Sequence, residues 1–450
     1  MLKLYKALIQ SVLDYGCIIF DTAKPYLKEK LDRVQSRALR LCCGAMCSTP
    51  VRALQVDLGV MPLQLRRDMF GLKYRNKLKS FVENPANEVL SDCWENHYSK
   101  SNIEPFSVKT NIEEIELDIV KHKFLPFPPW HVRGPDINIG MRELIVKGDN
   151  QDKVVAEFHQ FIFENYSTSM HVYTDGSKSG SEVGGAIYVP YCKYEKMFKL
   201  PSFASVFTAE LMAIYQALIF IDQVQPFSAV IISDSLSAIM AIDSGDCRSR
   251  PDIVMEILVL ATHLKYKGVH LAVVWVPSHS GVIGNECVDK LAKKALSSAE
   301  VLSISPSLTD GYHVVRDYII RQWQYVWDET LVGRDYHGIV SKVSSKVKFY
   351  AGVRRDDVVL TRLRMGHAKL NACLYRIGKH PDGLCDVCRE PETVQHYLFD
   401  CIRFQHQQLV LVEEAVKLEV PVSLSGMLGC KDFGPSVVAY VKATGRYYLL

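Results

Sequence analysis

The sequence predicts an α/β protein with a mixed sheet, flanked along the chain by helical segments. Over residues 170–297, runs of β-branched and aromatic residues alternate with apolar stripes at helical spacing. The predicted order of elements is β-β-β-α-β-α-β-α, in which both hairpins and helices join the strands. The 450 residues are 48% hydrophobic and 23% charged, which is ordinary globular composition.

Residues 1–85 are predicted to form a helical segment with one packed and one cationic face. Residues 1–86 carry 15 Lys and Arg residues against 7 Asp and Glu residues. Arg33, Arg37 and Arg40 lie largely off the predicted inward stripe, so we expect them to bind nucleic acid. A merely solvated basic surface is an equally good interpretation. The predicted inward stripe consists of Leu27, Leu31, Val34, Ala38 and Leu41.

Residues 86–167 are predicted to be a linker that packs along a domain surface, with one helix over about 151–165. The proline-rich run at 125–130 excludes a regular helix or a central strand there.

Two predicted strands lead into an acidic residue. The strand at 170–175 reaches Asp175 and a predicted turn at 175–177, and the strand at 229–233 is followed by Asp234. An Asx-turn would by itself explain Asp175. However, ligands gather near strand ends in open α/β sheets, so two such acids predict a site. Further strands are predicted at 184–190, 194–200 and 270–277, with a short helix after residue 235.

Two predicted helices each carry an acid in their early part. The helix at 208–224 begins at Thr208, a good N-cap residue, and carries Glu210 beside its apolar stripe. The helix at about 285–297 carries Asp289 in the same relation. Four converging carboxylates repel one another unless they surround cations. Oxygen ligands select hard ions such as Mg²⁺ or Mn²⁺.

Four sequence blocks around these acids closely resemble those of ribonuclease H, type 1. They are Tyr-Thr-Asp-Gly-Ser at 173–177, Thr-Ala-Glu-Leu at 208–211, Ser-Asp-Ser at 233–235 and Trp-Val-Pro-Ser-His-Ser-Gly-Val-Ile-Gly-Asn-Glu-Cys-Val-Asp-Lys-Leu-Ala-Lys at 275–293. The acids stand 35, 24 and 55 residues apart, in the order of the family. The resemblance covers residues 168–298 and implies a mixed five-stranded sheet with flanking helices.

The resemblance implies a two-metal-ion endonuclease that hydrolyses the RNA strand of RNA–DNA hybrids. Asp175, Glu210, Asp234 and Asp289 would hold two Mg²⁺ or Mn²⁺ ions. His279 would assist turnover by proton transfer or product release, or else be an ordinary loop residue. The sequence departs from many relatives at Ser278 and lacks a long basic protrusion after the 208 helix, so substrate binding would rely partly on other regions.

The C-terminal segment, 310–450, is predicted to be a helical tail with a small zinc module at 385–401. Its spacing is C-x2-C-x7-H-x4-C, which suits one structural, tetrahedral Zn²⁺ with a closed ligand shell. Chance cysteines in a helical region are the alternative. The predicted ligands are Cys385, Cys388, His396 and Cys401.

The flanking segments resemble parts of non-LTR retrotransposon polyproteins. The run at 362–371 with the zinc module resembles their C-terminal tail, and the runs at 9–16, 31–40 and 59–63 resemble the end of their reverse transcriptase. The chain would then be the C-terminal part of a retroelement protein. Because it has no Tyr-x-Asp-Asp block, we expect it not to polymerise DNA.

The cysteines and the N-terminal stretch predict the cellular compartment. The 13 cysteines follow no short disulfide pattern, and Gln10 and Asp14 interrupt the N-terminal apolar stretch. We therefore expect an intracellular protein, nuclear or cytoplasmic and not secreted, without a membrane partner. Its oligomeric state stays open. A catalytically silent nucleic-acid-binding remnant and a co-opted interaction protein are the alternatives to an active enzyme.

Overall fold

The structure is a computed structural model that describes residues 1–88, 117–121, 126, 128–145, 150–245, 247–347 and 352–450. These residues belong to two compact units. One comprises the described residues of 75–89 and 114–314; the other comprises those of 1–74 and 315–450. Part of the proline-rich run predicted to be irregular, at 125 and 127, lies outside the described residues.

The first unit is built on a six-stranded mixed sheet, which confirms the predicted fold class. Its strand order is β1-β6-β5-β2-β3-β4. Strands β1, β6, β5 and β2 are parallel to their neighbours, whereas β2, β3 and β4 form an antiparallel meander. The strands are β1 Asp136–Asn138, β2 Met170–Ser179, β3 Glu182–Val189, β4 Tyr194–Leu200, β5 Ser228–Ser233 and β6 His270–Trp275.

Helices cover both faces of this sheet. Helices α3, α4 and α5 share one hydrophobic core with one face, and α1, α2 and α6 share a second core with the other face. Alternate residues of a strand serve the two cores: Ile231 points into the first, and Val230 and Ile232 into the second. The helices are α1 Met141–Leu144, α2 Gln151–Tyr166, α3 Val206–Val224, α4 Leu236–Ser244, α5 Pro251–Tyr266 and α6 Ile283–Ser298; Pro129–His131 and Pro190–Cys192 form short 3₁₀ turns.

Three details of the sheet unit differ from the sequence prediction. The sheet has six strands rather than five, because β1 joins its edge from the predicted linker. Helix α5 was not among the predicted elements. Helix α3 begins at Val206, and its N-cap is Ser205 rather than Thr208, since the Ser205 side chain accepts the Thr208 N–H at 3.1 Å.

Among the described residues, α3 is the one helix whose length and apolar composition would allow it to cross a membrane. Two-thirds of that stretch is buried within the unit, where α3 lies on the sheet. Packing in a protein core is sufficient to explain such a composition.

The second unit is helical and combines residues from both ends of the chain. Tyr5, Leu39 and Leu54 from the N-terminal part share one core with Trp323 and Trp327. Its helical segments are Leu2–Leu4, Tyr5–Gln10, Ser11–Asp14, Cys17–Phe20, Pro25–Cys43, Val51–Asp57, Arg334–Ile339, Arg354–Arg364, Asn371–Arg376, His396–Asp400, Ile402–Phe404, Gln405–Lys417, Leu424–Gly429 and Gly434–Ala443; Leu63–Ser80 and Leu308–Asp328 each have residues in both units.

A buried polar group also joins these two parts of the chain. Asp57 accepts the Tyr336 hydroxyl at 3.0 Å and pairs with Arg364 at 3.3 Å. The side chains of Asp57 and Arg364 are both almost completely buried, and removing one partner would leave an uncompensated charge. The N-terminal helices and the C-terminal helices therefore fold as one body, whereas separate segments were expected at 1–85 and 310–450.

The predicted inward stripe of helix Pro25–Cys43 is wrong in most of its members. Ala38 is buried, but Leu27, Val34 and Leu41 are exposed. The buried stripe instead runs through Gln35, Ala38, Leu39 and Cys43. Gln35 is buried because its side chain bonds to the Met61 carbonyl and accepts from Gln55, so a polar residue occupies a core position.

Candidate metal and nucleic-acid site

The register of the parallel strands brings the first two acids together. Thr174 of β2 pairs with Ser233 of β5, so Asp175 and Asp234 follow on adjacent strands. The predicted turn at 175–177 is wrong, because β2 continues through these residues and pairs with β3 alone. Asp175 thus lies within β2 at the level where β5 has ended, which still places it at a strand end of the sheet.

A glycine lets helix α3 approach the strand closely enough to deliver the third acid. A Cβ on Gly176 would lie 2.6 Å from the Glu210 backbone nitrogen and 2.9 Å from the Ala209 carbonyl carbon. No other residue fits there without moving the helix. In the pair Asp175-Gly176, the aspartate therefore supplies a carboxylate, and the glycine leaves the space that Glu210 on α3 requires.

The three acids form a compact cluster. Asp175, Glu210 and Asp234 each offer one carboxylate oxygen, and these oxygens lie within 4.8 Å of one another. Within the part of the chain that the structure describes, Glu210 Oε2 is buried without a hydrogen-bond partner, although a buried carboxylate oxygen normally has one. Asp234 accepts from the Asn285 side chain at 3.4 Å, and its carbonyl accepts from Trp275 Nε1 at 3.1 Å.

Burial and mutual repulsion disfavour the ionised forms of the three carboxylates. Burial, followed by the charges of Asp234 and Asp289, raises the pKa of Asp175 to about 7. Burial and the charges of Asp175 and Asp234 raise the pKa of Glu210 well above its usual value. Burial also raises the pKa of Asp234, against the opposing effects of Asn285 and His279. A cation in this position would relieve the repulsion.

The fourth predicted acid stands beside the cluster rather than inside it. Asp289 forms an i,i+4 ion pair with Lys293 at 2.7 Å on helix α6. The Asp289 carboxylate lies near His279 and Glu286. One ligand atom from each of these three residues lies within 4.8 Å of the other two. Lys293 was not among the predicted site residues, although its i,i+4 spacing from Asp289 would have identified it.

The middle of the chain matches a known family. Residues 167–297 match the family model for RNase H. These residues form an RNase H domain. The match agrees closely with the predicted span of 168–298, and it contains all four acids and His279. The resemblance to the rest of a retrotransposon polyprotein is outside this match and stays a prediction.

The acidic cluster of the RNase H domain fits the divalent metals that such domains use. Its ligands are all carboxylate oxygens, which suit Mg²⁺ or Mn²⁺. A cation bound at this cluster would contact the buried Glu210 Oε2 and would lower the raised pKa of Asp175.

The four predicted zinc ligands also come together, in the second unit. Cys385, Cys388, His396 and Cys401 have ligand atoms within 4.8 Å of one another. The Cys401 sulfur lies 3.8 Å from the sulfurs of both Cys385 and Cys388. Tetrahedral Zn–S bonds of ~2.3 Å separate two sulfurs by ~3.8 Å. His396 Nε2 is buried and has no hydrogen-bond partner among the described residues, so it is free to bind a metal.

The backbone of the turn at 385–388 favours the thiolate form of Cys385. Burial opposes ionisation of Cys385, but the N–H groups of Cys388 and Val387, with the His396 and Cys401 side chains, lower its pKa to about 7. Metal-binding cysteines must be deprotonated. The cluster could therefore bind zinc.

The predicted basic face on helix Pro25–Cys43 is only partly exposed. Arg33 and Arg37 are exposed, and Arg33 lies 3.7 Å from Glu29. Arg40 is partly buried, and its Nη2 donates to the Thr49 carbonyl at 3.1 Å. Only the first two arginines are thus positioned to meet a phosphate backbone, and their binding role stays a prediction.

Proposed function

We propose that this protein is an endonuclease that hydrolyses the RNA strand of RNA–DNA hybrids at the Asp175–Glu210–Asp234 cluster. The observation that carries the proposal is the convergence of three carboxylates, one of them with a buried, unpartnered oxygen, inside an RNase H domain. Two divalent ions bound there would activate a water and stabilise the leaving oxygen of the phosphodiester.

The side chains of this chain have separable tasks in that proposal. Asp175, Glu210 and Asp234 would hold the ions, and Asp289 would complete the set once its ion pair with Lys293 opens. Asn285 and Trp275 orient Asp234 through its carboxylate and its carbonyl. Glu210 also contributes to selecting the 2′-hydroxyl, the group that distinguishes RNA from DNA. His279, on the loop beside Asp289, assists turnover.

We further infer that the chain is the C-terminal part of a non-LTR retrotransposon protein. Support comes from the blocks at its two ends and from their folding together into one helical unit. In this arrangement Cys385, Cys388, His396 and Cys401 would hold a structural Zn²⁺ that stabilises the tail. The basic N-terminal helices supply hybrid affinity that the RNase H domain lacks without a basic protrusion.

A substrate panel tests the proposed function. End-labelled RNA–DNA hybrid, double-stranded RNA, double-stranded DNA and single-stranded RNA are each incubated with the chain in Mg²⁺. We expect internal cutting of the RNA strand in the hybrid alone. Cutting of all four substrates would indicate a contaminating or unspecific nuclease. Binding of the hybrid without cutting would instead favour the nucleic-acid-binding remnant.

The exposed arginines of helix Pro25–Cys43 give a second prediction. Changing Arg33 and Arg37 together to glutamine should weaken hybrid binding, and the slope of log K against log salt should fall by about 2, because two phosphate contacts are lost. The matched control removes two exposed charges elsewhere in the helical unit, as Lys417→Gln with Lys431→Gln. Equal slopes for both double variants would mean that the arginines are only a solvated face.

A further inference from the structure

The RNase H fold of this chain extends beyond the residues that match the family model. Strand β1, at 136–138, pairs in parallel with β6 and forms the edge of the sheet. Helix α2, which ends where the matched segment begins, buries Val154, Phe158 and Ile162. Two of these, Phe158 and Ile162, lie in the core that covers one face of the sheet. The segment before 167 is therefore part of the domain rather than a linker to it.

The backbone before β1 is fixed along helix α5. The Arg133 N–H donates to the Thr262 hydroxyl at 2.9 Å, and the Arg133 guanidinium lies over the Tyr266 ring at 4.9 Å. These contacts continue to β1, where Lys265 pairs with Asp136 at 2.6 Å.

The loop that carries His279 has an unusual backbone. His279 adopts φ 52°, in the left-handed region that a residue with a side chain seldom occupies. Such a conformation persists only where neighbouring contacts hold it. Within the loop, the Ser280 hydroxyl donates to the Pro277 carbonyl at 2.7 Å, and the Gly281 N–H donates to Glu286 at 3.3 Å.

Helix α2 supplies a contact to this loop from outside the family-matched segment. Gln151 is the first residue of α2, and Asn150 caps the helix by accepting the Lys153 N–H at 2.8 Å. The Gln151 side-chain amide donates to the His279 carbonyl at 3.2 Å. Gly281 lies against the same helix, since a Cβ on it would be 3.4 Å from Val155 Cγ2.

From these contacts we propose that Gln151 is a positioning residue that holds the His279 loop in its left-handed conformation. The inference rests on the proposed function, in which His279 assists turnover. Because Gln151 bonds to the backbone carbonyl of His279, it fixes where the imidazole projects without touching the carboxylates. The proposal takes product release as the step that His279 assists, so loss of Gln151 should slow multiple turnover and leave bond cleavage by bound enzyme intact.

The test compares three variants in the full chain. Gln151→Met keeps the length of the side chain but removes the donor, Gln151→Lys keeps a donor, and Gln160→Met makes the same change at an exposed position of the same helix. For Gln151→Met we expect multiple-turnover cleavage to slow by about fivefold, the effect of one lost hydrogen bond. Single-turnover cleavage and hybrid affinity should match wild type, and Gln151→Lys should restore turnover.

Amide hydrogen exchange of residues 278–282 provides a readout that does not depend on activity. Exchange should be faster by about fivefold in Gln151→Met and unchanged in Gln160→Met. Equal turnover and equal exchange in these two variants would overturn the proposal, as would failure of Gln151→Lys to restore either one. If wild type cuts no hybrid, the proposed function fails, whereas the exchange data still decide whether Gln151 holds the loop.

Discussion

Replacing Glu210 with glutamine should lower the rate of hybrid cleavage by about 10²- to 10³-fold or more, the range for removing one electrostatic group from an active site. Glutamine keeps the shape of the side chain, so the close approach of α3 to Gly176 is unaffected. What is lost is the negative charge at the buried Oε2 atom, for which the described residues provide no hydrogen-bond partner. A cation would be held there more weakly, and catalysis would fall with it.

The same variant should make the protein more stable when no Mg²⁺ is present. The pKa values of Glu210 and Asp175 are raised in the folded state, the latter to about 7. An acid with a raised folded-state pKa costs stability above its unfolded-state value, because folding must then hold an unfavourable charge. The metal-free protein should thus lose stability as the pH rises from about 4 to about 7. Glu210→Gln should therefore lack the part of this stability loss that is due to Glu210.

Calorimetry and cleavage assays together check this pair of effects. At pH 8 without Mg²⁺, Glu210→Gln should raise the free energy of unfolding by about 1–2 kcal/mol, typical for relieving strain at a functional site. Added Mg²⁺ should stabilise wild type more than the variant. Glu182→Gln, on a half-exposed carboxylate that pairs with Lys199, is the matched control. A variant that loses activity and also loses stability would indicate a structural role for Glu210.

Removing zinc should loosen residues around 380–405 and leave the RNase H domain folded. Structural zinc contributes about 10–16 kcal/mol of apparent binding free energy in small metal-dependent domains. Here Cys385 and Cys401 also belong to a larger apolar core, so the loss should remain local. We expect purified protein to hold one zinc per chain and Cys388→Ser to hold none. Proteolysis at 380–405 should be faster by about tenfold or more without the metal.

Two controls make the zinc experiment decisive. Cys47→Ser changes an exposed cysteine of the same unit and should keep both the zinc and the protease resistance. A zinc-selective chelator used with excess Mg²⁺ should reproduce the effect of Cys388→Ser without lowering hybrid cleavage. Unchanged proteolysis of the zinc-free protein would show that the cysteine–histidine cluster is not a metal site.

The acids could be predicted from the sequence because the motif spacing encodes where strands end and helices begin. Asp175 lies within β2 and Asp234 follows β5, and the register of these two strands makes the acids neighbours. Gly176 leaves the space in which α3 brings Glu210 close to them. The local conformation at Asp175 was wrong, since β3 pairs with β2 beyond the end of β5 and extends the strand. A tertiary pairing thus overrode the local preference of Asp-Gly-Ser for a turn.

Other features had no adequate sequence signal. Strand β1 is only three residues long, and two of them are polar, so it shows no strand periodicity. On helix Pro25–Cys43, the spacing of apolar residues predicted that Val34 and Leu41 are buried, but both are exposed. Gln35 is buried instead, because hydrogen bonds to Met61 and Gln55 satisfy its side chain. The contact of Gln151 with the His279 loop joins residues 128 positions apart and belongs to no motif.

The most direct measurement compares wild type with Asp234→Asn on an RNA–DNA hybrid labelled on both strands, in Mg²⁺. We expect wild type to cut the RNA strand internally and leave a 3′-hydroxyl, and the DNA strand to stay intact. Asp234→Asn should bind the hybrid with similar affinity and fail to cut it. Equal cutting by both proteins, or cutting by neither while wild type is folded and binds hybrid, would contradict the assignment of the three-carboxylate cluster as the catalytic site.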